Sequence, residues 1–217
     1  MRSFIFDLPL AMSYQFYLVV LFFVFEFSSA IRSPSTMKEQ LMKHQIIPDV
    51  VTFPPLKDVL VEYSKKAMAN FGNKIPIPQV QDKPWLQWSA DPDHFYCLLM
   101  TDPDMPSREQ PTDREYKHWL VVNIPGFDVS SGHTFVEYAP PAPPKDSGSH
   151  RYIFMIFKQQ GQMTFEESYI AANETKGREK FSTRMFNDKY KLGNPWAMNF
   201  FHAEWFDAEK DALENHP

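Results

Sequence analysis

The sequence predicts a mostly β protein: a sandwich-like core with a few peripheral helices. Three observations point there. The strongest apolar runs, His94 to Thr101, His118 to Ile124 and Tyr152 to Phe157, are short and rich in aromatic and branched residues. Nineteen prolines against seven glycines disfavour a mainly helical chain, because proline breaks helix interiors. The runs are separated by proline-rich loops, the punctuation of sandwiches and barrels.

Taken in order, the chain opens on Phe16 to Phe25, an unbroken apolar run about half the length of the roughly 20 residues that a spanning helix needs. Ser28 and Ala30 follow as small residues at −3 and −1 of a cleavage point. Residues 1–30 therefore read as a secretory signal peptide cut after Ala30, leaving 31–217 as an extracellular domain with no membrane span. Asp7 and Glu26 depart from that pattern, so an uncleaved anchor, or a cytoplasmic chain with a different start, stays open. Met37 to Gln45 has helical composition and stops before Pro48. Asp49 to Thr52 and Val59 to Tyr63 read as short strands, and Trp85 to Trp88 alternates as a half-buried strand does. Tyr152 to Phe157 is apolar throughout, which places it in the middle of a sheet covered on both sides. Thr164 to Ala172 has a helical pattern with Thr164 and Glu167 as a capping box. Gly177 to Tyr190 has Phe181, Met185 and Phe186 at helical spacing, a core stripe. Asn199 to Trp205 reads as the last strand, followed by a polar tail.

Composition excludes several functions. The formal charge is −5 with no long basic run, so no nucleic-acid footprint is present. A hydrophobic share of 43% supports one sizeable core. Cys97 stands alone, which rules out an intramolecular disulfide and a cysteine-based zinc site; inside a strand-like run it reads as a small buried hydrophobe.

Chemistry concentrates at strand ends. Asp102-Pro103-Asp104-Met105-Pro106-Ser107-Arg108 follows a strand, and alternating prolines stiffen the turn. His118 opens another strand, and His150 another after a proline-rich loop. Three polar groups at the ends of neighbouring strands can converge. Taken singly, such an Asp is ordinarily a turn former and such a His a structural hydrogen-bonder.

In combination, Asp-Pro-Asp-Met-Pro-Ser-Arg at 102–108, Lys-His-Trp-Leu-Val-Val at 117–122 and Gly-Ser-His-Arg-Tyr at 148–152 resemble the phosphatidylethanolamine-binding protein family, the Raf-kinase-inhibitor-like group, over about Met37 to Asp207. The resemblance implies a sandwich-like core with one small, metal-free anion pocket for phosphate or phospholipid head groups, with no cofactor. It places Asp102, His118, His150 and Tyr152 in the pocket, with Ala142, Pro143 and Pro144 as its rim and Tyr116 beside it. It also implies a cis peptide bond between Arg114 and Glu115. Departures from the family pattern fall at Asp113, Tyr116 and Lys117, and at Leu213 near the C-terminus. A histidine supported by Asp102 can carry positive charge towards a phosphate, which predicts tighter anion binding at mildly acidic pH.

Other readings compete. Asp102, His118 and His150 could form a two-histidine, one-carboxylate metal site. Ser107 and Asp104 could imitate a hydrolase, although no Gly-x-Ser-x-Gly surrounds Ser107. A non-enzymatic monomer is the expectation. An interaction protein of kinase- or protease-inhibitor type, or an odorant or lipid carrier, are the alternatives. Asn173-Glu174-Thr175 is a glycosylation acceptor if the chain is secreted.

Overall fold

Eight strands form one sheet, in the spatial order Trp85–Trp88, Lys57–Glu62, Ala197–Glu204, Ser149–Lys158, Phe95–Asp102, Tyr116–Pro125 and His133–Val136, with Asn73–Lys74 paired to Ala197–Glu204. The computed structural model describes residues 34–64 and 66–207. The expected signal segment 1–30 with its cut at Ala30, and Leu213, lie outside the described residues. The elements are α1 (Pro34–Lys43), β1 (Lys57–Glu62), β2 (Asn73–Lys74), β3 (Trp85–Trp88), β4 (Phe95–Asp102), β5 (Tyr116–Pro125), β6 (His133–Val136), β7 (Ser149–Lys158), α2 (Thr183–Tyr190) and β8 (Ala197–Glu204). No helix among the described residues is long and apolar enough to cross a membrane.

Helix α1 starts on a proline, tolerated in a first turn whose N–H would be unpaired anyway. It buries Met37 and Leu41, four residues apart. Gln45 turns left-handed at φ 56° and sends its N–H to Met42, while Ile46 N–H returns to Leu41. This is the two-bond Schellman stop with Gln in the usual glycine position, and the buried Leu41 and Ile46 supply its apolar contact.

Strand β7 lies in the middle of the sheet, as its unbroken apolar run predicts. Residues alternate between its two faces. Ile153, Met155 and Phe157 join one buried cluster with Cys97, Leu99, Leu120, Phe200 and helix α1. Tyr152, Phe154 and Ile156 join the other with Tyr96, Leu98, Met100, Trp119 and Phe201. The sandwich expectation therefore takes the form of one sheet packed on both faces.

Strand β5 breaks the alternation twice. Leu98 pairs with Val121 and Tyr96 with Ile124, so β5 carries an extra residue there, beside Asn123 at φ 54°. Met100 pairs with Trp119 but Thr101 with Lys117, so a second extra residue falls at His118. Such a bulge re-aims side chains.

Three elements differ from expectation. Asp49 to Thr52 is a turn, because Val50 and Val51 N–H bond back to Ile46. Thr164 to Ala172 is extended: Ile170 bonds Phe135 and Glu137 beside β6, and the carboxylate of Glu167 takes Tyr190 and Lys189 in place of a helix cap. Only the last part of Gly177 to Tyr190 is helical, capped by Ser182. Residues 178–181 pair along 113–117, and Met185 is 73% exposed rather than part of the core stripe.

Candidate functional site

Strand β4 runs antiparallel to both neighbours, β5 and β7. The end of β4 therefore meets the starts of β5 and β7 at one end of the sheet. That places Asp102, His118, His150 and Tyr152 together, as the sequence predicts. All four are buried.

His150 Nδ1 lies 2.7 Å from Asp102 Oδ2. Its Nε2 lies 2.9 Å from Ser147 Oγ. Ser147 gives its single proton to the Pro144 carbonyl at 2.6 Å, so its Oγ accepts from His150 Nε2–H. Nδ1 and Asp102 then share the remaining proton. The other Asp102 oxygen accepts from Asp104 N–H at 2.7 Å.

His118 Nδ1 lies 2.8 Å from the Ala139 carbonyl, and Nε2 is buried without a hydrogen-bond partner. Burial lowers its pKa, outweighing the opposing pull of Asp102 and of the Ala139 bond. The bulge lets His118 face Tyr152 although Trp119, its neighbour, lies on the same side. The rings form a row: Tyr116 to His118 at 5.0 Å, His118 to Tyr152 at 5.2 Å edge-on, and Tyr152 to His150 stacked at 6.4 Å. Burial and the carboxylates of Asp102 and Asp104 push the Tyr152 phenol well up. Tyr116 is the one ring of the row with partial exposure. The segment from Ala139 to Pro144 accepts from His118 at one end and from Ser147 at the other, so the predicted rim is tied to both histidines. Within it Ala142 is exposed, Pro143 buried and Pro144 partly buried.

Arg151, between His150 and Tyr152, points to the opposite face. It donates from its backbone N and Nε to Asp104 Oδ2 and from a terminal nitrogen to Oδ1. It also reaches Asp49 and the Gln45 carbonyl, fastening the end of α1. Burial alone would raise the Asp49 pKa, but Arg151 and Arg114 hold it below the usual range. A charged residue in an otherwise apolar buried strand needs such a partner, which is the signal in the sequence that points to it.

Two further supports differ in their signal: nothing in the sequence marks the first, and the family resemblance implies the second. The guanidinium of Arg178 is fully buried and donates to five carbonyls, those of Lys117, His118, Glu137, Ala171 and Glu174. The Arg114–Glu115 peptide is cis. Burial raises the Glu115 pKa while Thr183 opposes it, donating N–H and Oγ–H to the carboxylate at the start of α2.

The residues of the metal reading and of the Ser107 reading have the following partners. Both ring nitrogens of His150 are engaged, and among the described residues no group of three or more His, Cys, Asp or Glu is placed to hold a metal. Asp104 is held by Arg151, and Ser107 Oγ accepts from Gln110 N–H. Asp113 bonds Met105 and Lys180 through its backbone, and the Lys117 ammonium sits 5.0 Å from the Phe181 ring. Asn173 is exposed in a turn, accessible to modification.

A separate groove of about 860 Å³ lies over Trp119, Val121 and Tyr138, walled by the half-exposed Trp85 and Phe127. Lys83 sits 5.8 Å from the Trp119 ring. The ring row differs from the groove in combining buried polar pairs with an unmet acceptor.

Comparison with known proteins agrees with the motifs. Residues 64–201 match the family model described as phosphatidylethanolamine-binding protein. The chain is 36% identical over 167 residues to a putative odorant-binding protein A5 of Drosophila melanogaster, covering 76% of this chain and 80% of that one. It is 33% identical over 159 residues to a 26 kDa secreted antigen of Toxocara canis, covering 73% of this chain and 61% of that one. Its fold resembles that of the carboxypeptidase Y inhibitor in complex with its cognate proteinase, at a TM-score of 0.68 and 28% identity over 83% of this chain and all of that one.

Proposed function

The chain belongs to the phosphatidylethanolamine-binding protein family, and from that premise we propose that it captures phosphate or phospholipid head groups at the row Tyr116, His118, Tyr152 and His150, beside Asp102. One observation carries the reading: His118 Nε2 is a buried polar atom that the protein leaves without a partner. An unmet buried acceptor costs roughly 1–3 kcal/mol, a cost that a bound ligand relieves. Asp102, His150 and Ser147 act as the frame that fixes the row, with Pro143, Pro144 and Ala142 over it. The role is binding, not catalysis, by a monomer. Secretion fits the segment 1–30 and the similarity to a protein named as a secreted antigen.

Calorimetric titration of the chain with O-phosphorylethanolamine tests this. Saturable binding that weakens in His118→Ala, with circular dichroism unchanged, is the expected result. Heat indistinguishable from dilution in the unaltered chain would overturn it.

The groove under Trp85 and Phe127 favours a second reading, capture of a small apolar molecule, in line with the relative named a putative odorant-binding protein. Its volume is within the range of small-molecule sites, about 300–1,000 Å³, and its floor is aromatic. Quenching of tryptophan fluorescence by apolar volatiles, abolished in Trp85→Ala, checks it.

A further inference from the structure

The turn that carries Asp102 ends on Arg108, a residue that the ring row does not use. Arg108 opens onto a separate notch of about 400 Å³, shared with Gln45, Asp49, Asp104, Arg114 and Arg151. The notch lies on the face of β7 to which Arg151 points, away from His118, His150 and Tyr152. Three guanidiniums meet two carboxylates there, and both carboxylates are committed. Asp104 holds Arg151 with its two oxygens. Asp49 takes Arg114 on one oxygen and Arg151 on the other. Arg108 has no carboxylate of its own. Its Nη2 donates to the neutral Gln45 side chain at 2.8 Å and to the His44 carbonyl at 3.4 Å. The notch thus carries one positive charge in excess, in a chain whose formal charge is −5. Glu109 and Asp113, the other acids of that loop, do not line it. A further cation, Arg184, donates to the carbonyl of Pro48, which is itself part of the wall. The excess acts on the neighbouring His44, whose pKa falls through burial first and then through Lys43, Arg108 and Arg151.

A guanidinium has five N–H donors in a fixed fork. Arg151 spends Nε and both terminal nitrogens on the protein and forms the floor. Arg108 and Arg114 each spend only Nη2, so Nε and Nη1 of both have no partner among the described residues. Both side chains are partly shielded from solvent. Charge-assisted bonds made there are stronger than in open water, and a guanidinium fork matches the oxygens of a phosphate. We propose that this notch is a second anion site, independent of the ring row, that takes a phosphate or sulfate group on the free Nε and Nη1 donors of Arg108 and Arg114. Asp49 is a positioning residue there, anchoring Arg114 while its own oxygens are both engaged. The free ion and an ester offer the same oxygens, and that shared group is what the site reads.

Nitrogen-15 spectra of the arginine Nε–H groups, recorded on the full chain at pH 7 and constant ionic strength while inorganic phosphate is added, locate the anion. The signals of Arg108 and Arg114 should move together and saturate. Those of Arg151 and Arg178 should stay in place, because their Nε groups are already bonded to Asp104 and to the Glu174 carbonyl. Arg108→Gln takes no partner from any carboxylate and should weaken the response of Arg114 about tenfold or more. An unmoved Arg178 signal in that variant verifies its fold. His118→Ala should leave the response at Arg108 intact, which separates the notch from the row. O-phosphoserine then distinguishes the sources: tighter binding than inorganic phosphate assigns the notch to an esterified group, weaker binding to the free ion. Arg108 and Arg114 signals that stay fixed, or drift in proportion to added salt without saturating, would overturn the proposal. So would loss of the response in His118→Ala, which would place the anion at the row alone.

Discussion

The His150 imidazole and the Asp102 carboxylate meet at 2.7 Å with both side chains wholly shielded from solvent. A pair so placed frames a site without necessarily touching what the site holds. Removing one partner strands the other in a low-dielectric interior. We therefore expect Asp102→Ala and His150→Ala each to lower unfolding stability by about 3–5 kcal/mol in urea titrations, a larger effect than the 1–3 kcal/mol on head-group affinity that loss of one charge-assisted bond would give. A stable His150→Ala protein that no longer binds would instead make His150 a direct ligand contact.

Arg151 and Asp104 form the corresponding pair on the other face, joined by Asp49 at the end of α1. Arg151→Leu leaves the buried carboxylate of Asp104 without its cation, while Asp49 keeps Arg114. The expected loss is again about 3–5 kcal/mol. Proteolysis within 44–50 should accelerate in that variant, because the Gln45 carbonyl loses its donor and the His44 carbonyl keeps only Arg108. Unchanged cleavage there would show that α1 is held by its apolar face alone.

Acid should destabilise the fold through the pair His44–His202, whose rings share one hydrogen bond at 2.9 Å. Burial first, then the neighbouring His44, Arg108 and Arg151, lowers His202 from 6.5 to about 4, against the pull of Asp104. Burial and the cations Lys43, Arg108 and Arg151 lower His44 as well. A depressed histidine binds protons better in the unfolded chain. The stability is therefore complete above pH 6.5 and falls as pH drops towards 4, by at most about 1.4 kcal/mol per unit and per group. His202→Asn should flatten the melting temperature between pH 7 and pH 5 relative to the unaltered chain. Parallel curves would remove His202 as the cause.

Expression in a eukaryotic secretory host should release a protein whose N-terminus is Ile31 and whose electrophoretic mobility increases after glycosidase treatment. Asn173→Gln should remove that shift, since Asn173 is exposed in a turn. Retention in cells with Met1 intact would refute both expectations.

How much of this was written in the sequence depends on the reach of the force involved. The central strand β7 was legible because burial on both faces demands an uninterrupted apolar run, and local composition records that demand. The convergence of Asp102, His118 and His150 was legible from their placement at strand ends and from the motif resemblance. The extended path of 164–172 was not, because what holds Glu167 is Tyr190, 23 residues away, and a capping box looks the same whether or not a distant hydroxyl has claimed its carboxylate. Arg178 was equally hidden: within a charged stretch nothing distinguishes a guanidinium that will bury itself among five carbonyls from one that stays in water. Met185 fits the helical stripe but falls outside the buried face, since the helix begins only after Ser182.

The extra residue at His118 gives the site an unusual genetic address. Deleting the codon of Lys117 or of Trp119 would let β4 and β5 pair without interruption at that end of the sheet. The strand would survive, and its aromatic and branched composition would be nearly unchanged. Yet the imidazole would rotate away from Tyr152, and the acceptor would leave the ring row. A chain of this fold could thus lose the proposed site through an in-frame indel while Asp102, His118, His150 and Tyr152 all remain in the sequence, and a comparison that scores those identities alone would still report the site as present.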